Sequence, residues 1–343
     1  MNLFLVTSPF QYICALEAKH HYATKNNILI LAQQKSQQGK KVEKNIVDCD
    51  DWDHVILIGR TSRTTEIPSA IKKVKEIIKD NKLEHFFHAE YTAWRTKLLL
   101  KNLPSSKEVY FDDGTLTVVQ YEESIRNKVD FYRPRFFQDL LIKLQGYQAP
   151  DRMPQSKNLE IFTVFDIPNP EHVIRKNTLS ALKQKHQIQS LYDSNAPIGF
   201  IGQGGIGSKR KKTINSYIKE VMYFKEKHQS QVIYFPHRTE SEEVKQRIMA
   251  IDGITYHQSE LPLEIELIDK KIKLSGLVGI LSTAQYTALL LYPNMPIYNL
   301  YNANPSKDYK LTDRNVFIQK IILELFARNG IKNITIPESS EDA

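Results

Sequence analysis

Two adjacent carboxylates are the side chains of this sequence best placed for acid–base chemistry. Asp112 and Asp113 follow the apolar run 109–111 and precede Gly114. This pattern is typical of the carboxyl end of a buried parallel strand, the edge where open α/β sheets bind ligands. Because neighbouring strand residues point to opposite faces, one aspartate would face a ligand and the other would brace the turn. An Asp-Gly turn that closes a hairpin onto residues 115–121 is the alternative interpretation.

A histidine and a pair of hydroxyls follow two further predicted strands. His237 and Arg238 come after the strand predicted at 231–235, and a histidine there can donate a hydrogen bond to a phosphate. Ser282 and Thr283 stand where another apolar strand runs into a predicted helix, whose N-terminus can bind a phosphate. A structural histidine and a plain capping serine are the alternatives.

A glycine-rich loop at 202–207 and the histidine spacings complete the search for motifs. The loop matches neither the GxxxxGK[ST] pattern nor a dinucleotide fingerprint, since no acidic residue follows about twenty positions on at a strand end. We expect this loop to contact substrate through Gly202 and Gln203. The ten histidines form no metal-binding motif, and the aspartate pair is not a DxD motif, so we predict no metal site.

The alternation of strands and helices positions these residues. A length of 343 residues favours two domains, and alternating series cover residues 1–165 and 197–343, with a linker or crossover at 166–196. The fold class is therefore α/β, with two Rossmann-like domains facing a cleft, which is the GT-B architecture. A fold alone does not define a function.

Composition and charge restrict the class of protein. A hydrophobic fraction of 41% and two cysteines are typical of a globular protein of a reducing compartment, and we expect neither a signal peptide nor a membrane span. The net charge of +8 favours anionic partners, namely a nucleotide, a nucleic acid or an acidic lipid surface. Lys209–Lys212 is the densest basic cluster.

The motifs occur in an order found in a known group of enzymes. The chain resembles bacterial sialyltransferases of glycosyltransferase family 52 and the polysialyltransferases, which share an Asp/Glu-Asp/Glu-Gly, a His-Pro and a Ser-Ser/Thr motif. The matching positions are 112–114, 237–238 and 282–283, with an arginine in place of the second motif's proline. Residues 8–11 (Ser-Pro-Phe-Gln) are similar to an opening common in these chains, and 200–203 to the strand that opens their second domain.

This resemblance implies an inverting, metal-independent transfer of sialic acid, or a related nonulosonic acid, from a CMP-sugar to a surface glycan such as lipooligosaccharide or capsule. Asp112 would be the general base on the acceptor hydroxyl and Asp113 would orient the turn, or the two roles are exchanged. His237, Ser282 and Thr283 would stabilise charge on the departing phosphate. The first domain would bind the acceptor and the second the nucleotide-sugar. The remaining substrate contacts would be Gly114, Gly202, Gln203, Arg238 and Glu264, the last on the ribose.

Several alternatives stay open. The donor could be a Kdo-type or UDP-linked sugar, or the arginine of the second motif could mark an inactive transferase. The basic charge is also typical of a non-catalytic nucleic-acid-binding protein, although no recognised nucleic-acid-binding motif is present. We expect no cofactor, a CMP-sugar and a glycan acceptor as partners, no nucleic acid, and a cytoplasmic location with peripheral contact to an anionic inner membrane through Lys209–Lys212.

Overall fold

The chain folds into two compact units. They are Met1–Leu182 and Lys183–Ala343. The structure is a computed structural model, and the residues that it describes are 1–187, 190–208, 212–228, 231–302 and 312–336. The basic residues 209–211 lie outside the described residues. Lys212 is described and forms an ion pair with buried Glu220 at 2.5 Å.

A parallel seven-stranded sheet forms the centre of the first unit. Its strands are β1 (Asn2–Val6), β2 (Asn27–Ala32), β3 (His54–Ile58), β4 (Leu83–His88), β5 (Ser105–Phe111), β6 (Leu159–Thr163) and β7 (Val173–Lys176). Its helices are α1 (Pro9–His21), α2 (Gln37–Ile46), α3 (Arg63–Ile78), α4 (Trp94–Asn102), α5 (Leu116–Gln120), α6 (Phe136–Leu144) and the start of α7 (Ser180–His186). The strand order β3-β2-β1-β4-β5-β6-β7 reverses direction between β1 and β4, and such a reversal opens a crevice at the carboxyl edge of a doubly wound sheet.

The apolar runs of the sequence account for these elements. All six residues of β2 are buried, as expected for a strand covered on both faces. Helix α3 buries Ile67, Ile71 and Val74, which lie on one stripe at helical spacing. Strand β7 lies within 166–196, the segment expected to connect the domains, and pairs in parallel with β6.

The second unit repeats the architecture with six parallel strands. They are β8 (Ile198–Ile201), β9 (Val232–Phe235), β10 (Ile254–Tyr256), β11 (Leu277–Gly279), β12 (Ile297–Asn302) and β13 (Lys332–Ile336). The helices are α8 (Ile214–His228), α9 (Glu242–Met249), α10 (Leu263–Asp269), α11 (Thr283–Leu291) and α12 (Asp313–Arg328). The order β10-β9-β8-β11-β12-β13 reverses between β8 and β11, so the ends of β9, β8 and β11 are neighbours at one edge. No helix in the described part of the chain is long and apolar enough to cross a membrane.

Candidate active site

The paired aspartates lie in a turn between β5 and α5. Strand β5 pairs in parallel with both β4 and β6, and a helix follows the turn, so the hairpin interpretation is wrong. Gly114 has a φ of +73°, a conformation that glycine adopts without the steric cost of a side chain. The two carboxylates therefore stand at the carboxyl edge of the sheet, and their surroundings distinguish them.

Asp112 is fully buried and bonded on both oxygens. Its Oδ1 accepts from the Thr163 hydroxyl at 2.6 Å, and its Oδ2 accepts from the backbone N–H of Val164 at 2.7 Å. Burial raises the pKa of this carboxyl to about 7, although these hydrogen bonds favour the charged form. Both oxygens are thus used to join the end of β5 to the end of β6. This arrangement suits the bracing role rather than the role of base.

Asp113 is partly exposed and is held from a different direction. The side-chain amide of Gln11 donates to Asp113 Oδ1 at 2.7 Å, and the Asp113 backbone N–H donates to Thr117 at 2.9 Å. Gln11 is itself buried and accepts from the Thr7 backbone N–H at 2.7 Å. This chain of contacts fixes the carboxylate against the first turn of α1. Gln11 was not among the predicted site residues, although it belongs to the segment 8–11 that carries the resemblance.

A further carboxylate, Glu90, lies at the same edge just after β4. It accepts from the Thr7 hydroxyl at 3.2 Å and forms a two-point ion pair with Arg95, in which Arg95 Nε is 2.6 Å from Glu90 Oε2. Like Asp113, Glu90 is a carboxylate that follows closely after a strand, so the same pattern could have indicated it. It was not predicted because it belongs to none of the three motifs. Thr7, which follows β1, thus contacts Glu90 directly and Asp113 through Gln11, and so links the ends of the neighbouring strands β1, β4 and β5.

In the second unit the glycine loop packs directly against His237. A Cβ on Gly204 would lie 2.6 Å from Cε1 and 2.7 Å from Nδ1 of the His237 ring. A Cβ on Gly202 would meet the Tyr234 hydroxyl at 2.7 Å and the His237 backbone nitrogen at 2.9 Å. Both positions therefore require glycine because the loop after β8 approaches the end of β9 closely.

The partner of Nδ1 determines the tautomer of His237. The Thr239 backbone N–H donates to His237 Nδ1 at 3.2 Å, so this nitrogen carries the lone pair and the proton is on Nε2. Burial and the positive charge of Arg238 lower the pKa of His237 to about 4. The imidazole is therefore neutral at physiological pH and offers an N–H to an acceptor. Arg238 itself is exposed.

A partly buried hydrogen-bond network supports the loop and the strand end. Tyr234 donates to Glu240 and lies 2.9 Å, oxygen to oxygen, from the Tyr217 hydroxyl. The Tyr256 hydroxyl donates to Glu240 at 2.8 Å, and the Gln203 backbone N–H donates to Tyr217 at 3.3 Å. Burial raises the pKa of Glu240. The side-chain oxygen of Gln203 is buried and has no hydrogen-bond partner among the described residues.

Ser282 caps helix α11 at the neighbouring strand end. Its hydroxyl accepts from the Ala284 backbone N–H, and Gln285 reaches back to the Ser282 backbone N–H at 2.6 Å, which completes a capping box. Leu281, just before the cap, has a φ of +50°, a strained conformation for a residue with a branched side chain. Thr283 is the first residue of the helix and is partly exposed. The positive end of the α11 dipole therefore lies at the same sheet edge as His237.

Glu264 lies on α10 and is buried against α11. Its Oε1 accepts from the Thr287 hydroxyl at 2.9 Å, and burial raises its pKa. The backbone carbonyl of Glu264 accepts from the Tyr292 hydroxyl at 2.9 Å. These contacts join α10 to α11. Glu264 therefore has a structural role, and its contact with a ribose stays a prediction. The described residues contain no group of three or more His, Cys, Asp or Glu side chains that could hold a metal ion.

Comparisons with known proteins support the fold. No protein-family model and no curated protein sequence matches the chain. Among solved structures, the GT-B domain of a sialyltransferase from Photobacterium damselae is similar over 98% of this chain and 100% of its own, with 12% identity and a TM-score of 0.52. A 2,6-sialyltransferase from a Photobacterium species, bound to CMP and lactose, is similar over 97% of this chain and 78% of its own (10% identity, TM-score 0.54).

A different class of enzyme is equally similar in structure. The UDP-GlcNAc 2-epimerase of Methanocaldococcus jannaschii matches 95% of this chain and 92% of its own, with 11% identity and a TM-score of 0.52. At such identities the likeness concerns the fold alone. The chain therefore has the GT-B type of fold, built from two Rossmann-like units with parallel sheets, and this fold is shared by transferases and epimerases that act on nucleotide-sugars.

Proposed function

We propose that this protein is an inverting, metal-independent glycosyltransferase that moves sialic acid, or a related nonulosonic acid, from its CMP-sugar to a hydroxyl of a surface glycan. The observation that carries the proposal is the environment of His237. A neutral imidazole with its proton on Nε2 packs against a glycine loop, and the N-terminus of α11 lies at the same sheet edge. The imidazole N–H and the free backbone N–H groups at the helix N-terminus are hydrogen-bond donors without a full charge. Such donors suit a phosphate monoanion that gains negative charge as it leaves.

In the proposed reaction Asp113 is the general base and Asp112 is the brace. The acceptor oxygen forms a bond to the anomeric carbon while the bond from that carbon to the phosphate oxygen breaks. The hydroxyl proton passes to the Asp113 carboxylate, and CMP leaves with the bonding electron pair. Attack on the face opposite to the leaving group inverts the anomeric centre. Asp113 is preferred because it is partly exposed, whereas both oxygens of Asp112 are occupied by internal donors.

Nucleotide binding is assigned to the second unit. His237 and the first turn of α11, with the Ser282 and Thr283 hydroxyls, would contact the phosphate. Gly202 would allow close backbone approach, and the unpaired oxygen of Gln203 would accept a hydrogen bond from the donor. Glu264 and Arg238 are assigned to the ribose and to the outer part of the donor, respectively. Gly114 keeps the base-bearing turn in its left-handed conformation.

Two measurements test this function. CMP should raise the melting temperature while UDP and single-stranded DNA should not, and CMP should be released from CMP-sialic acid in the presence of EDTA. We expect His237→Ala and Asp113→Asn each to lower turnover by at least ~100-fold, the usual cost of losing a phosphate donor or a base. His228→Ala, which removes a half-buried histidine of α8, should leave turnover unchanged.

The alternatives give different results in the same measurements. Stabilisation by UDP instead of CMP would overturn the donor class and favour a UDP-sugar enzyme. CMP binding without turnover on any CMP-nonulosonate would indicate a transferase that has lost activity. Binding of single-stranded nucleic acid alone would favour the non-catalytic interpretation.

A further inference from the structure

Helix α6 of the first unit exposes an apolar face. Five of its nine residues are large hydrophobic side chains that are exposed, and Phe136, Phe137 and Leu144 are each about three-quarters exposed (76%, 75% and 75%). We name these five residues the α6 face, and they are Phe136, Phe137, Leu140, Leu141 and Leu144. Soluble proteins expose single hydrophobic residues commonly but seldom cluster them in this way.

The helical periodicity places the α6 face on the outside of the unit. At about 100° per residue its five members span an arc of about 140°. The opposite side of the helix anchors it to the unit. Ile142 is fully buried in the core, and Asp139 accepts from Trp94 Nε1 at 2.9 Å and from the Arg135 backbone N–H at 2.7 Å. The apolar face is therefore a property of a well-anchored helix.

Positive charge is concentrated at the start of α6, at one end of this face. Burial and the positive charges of Arg133 and Arg63 lower the pKa of Arg135, so three guanidinium groups lie close together at the start of α6. Lys143 lies at the edge of the apolar arc, and Lys128 is exposed shortly before the helix. Among the nearby carboxylates, Asp139 is turned inward. Asp130 pairs with Arg152 and Asp151 pairs with Lys143, each at 3.7 Å, so these two pairs add no net charge and the positive excess comes from the arginines at the start of α6.

We propose that the α6 face is the docking surface of this protein for an anionic phospholipid bilayer. An amphipathic helix with an apolar outer face and flanking lysines and arginines lies in the plane of a membrane interface, with its apolar side chains among the acyl chains. The basic residues then attract anionic headgroups. The apolar side chains next to guanidinium groups complement a surface that has anionic headgroups above an apolar interior, which is the chemistry of an anionic bilayer.

The start of α6 lies near the sheet edge that carries the paired aspartates. The Arg135 guanidinium lies 5.8 Å from the centre of a Trp94 ring, and Trp94 begins α4, which follows the carboxyl end of β4. The next residue, Arg95, pairs with Glu90. The basic start of α6 thus lies at the carboxyl edge of the first sheet, the edge that carries Asp113. Docking would bring lipid-linked molecules to that edge, but lipid binding itself does not depend on the proposed function.

Vesicle flotation of the full chain tests this inference. We expect binding to phosphatidylcholine vesicles that contain roughly one third phosphatidylglycerol, weaker binding to pure phosphatidylcholine, and release at about 0.5 M salt. The double variant Phe136→Ser/Phe137→Ser should lower binding at least tenfold, and Arg133→Gln should lower it only on anionic vesicles. The matched control is Val316→Ser/Phe317→Ser, which changes two exposed apolar residues of α12 and should bind like the wild type.

The following outcomes would contradict the proposal. Absence of wild-type binding to anionic vesicles would overturn it, as would equal loss of binding in the control variant. If the wild type does not bind vesicles but forms a dimer, and the Phe136→Ser/Phe137→Ser variant is a monomer, the α6 face is instead the contact with a second copy of this chain. Because all variants change exposed side chains, their melting temperatures should match that of the wild type.

Discussion

The side-chain amide of Gln11 lies 2.7 Å from the Asp113 carboxylate, across 102 positions of sequence. This contact ties the first turn of α1, which follows β1, to the end of β5, two strands along in the sheet. The same glutamine accepts from the backbone N–H of Thr7, so its orientation is set at both ends. Gln11 is therefore a positioning residue for the proposed base.

Replacing Gln11 tests this positioning role. Gln11→Met keeps the volume but removes the donor, so the carboxylate loses its fixed orientation. We expect kcat to fall about 10- to 100-fold while CMP affinity stays unchanged, since small misplacements of a reacting group have effects of this size. Gln148→Met, at an exposed glutamine of the same unit, is the control. An unchanged kcat for Gln11→Met would remove Gln11 from the proposed site.

The buried carboxyl of Asp112 should make stability depend on pH. Its folded-state pKa of about 7 lies above the ordinary value of 3.8, so the folded protein binds more protons between these values than the unfolded chain does. Its contribution is fully present below about pH 4 and is lost as the pH rises through 7. Urea denaturation from pH 4 to 8 should therefore show a fall in unfolding free energy that is absent in Asp112→Asn. Parallel pH profiles of the two proteins would contradict this prediction.

We expect glycine at position 204 to be required for activity because the His237 ring lies beside it. In Gly204→Ala the new methyl group would lie 2.6 Å from Cε1, so the ring must move from its place beside Thr239. We expect turnover to fall at least tenfold, with weaker CMP binding by isothermal titration calorimetry. Gly59→Ala is the matched control, because its Cβ would meet only the flexible end of Glu66 at 3.0 Å. Equal activity in the two variants would argue against a role for His237 at the phosphate.

The helix cap at Ser282 should serve both stability and nucleotide binding. Ser282→Ala and Ser36→Ala each remove a capping hydroxyl, from α11 and α2 respectively, and each should lower the unfolding free energy by about 1 kcal/mol. Only Ser282→Ala should also weaken CMP binding, by about tenfold, because only that hydroxyl is proposed to contact the phosphate. Similar CMP affinities in the two variants would reduce Ser282 to a capping residue.

Most of the fold was predictable from local patterns. Apolar runs and helical spacings predicted the alternation of strands and helices, the position of the paired aspartates at a strand end, and the helix that starts after Ser282. The strand β7 was missed because its four residues, Val173–Lys176, are only two apolar residues followed by two basic ones, which resembles a connecting segment. Helix α2 was missed because its polar sequence buries only Gly39 and Val42.

By itself the sequence determined which residues stand at strand ends, since that follows from hydrophobic periodicity over a few neighbouring positions. Only the tertiary structure decided their separate roles. Asp112 and Asp113 are adjacent and chemically identical, yet Asp112 is buried and accepts from Thr163 at the end of β6 and from Val164 just after it, while Asp113 accepts from Gln11. Gly204 and His237 likewise become neighbours only when β8 and β9 pair. Burial, hydrogen-bond partners and pKa are properties of contacts between distant segments, so no local pattern contains them.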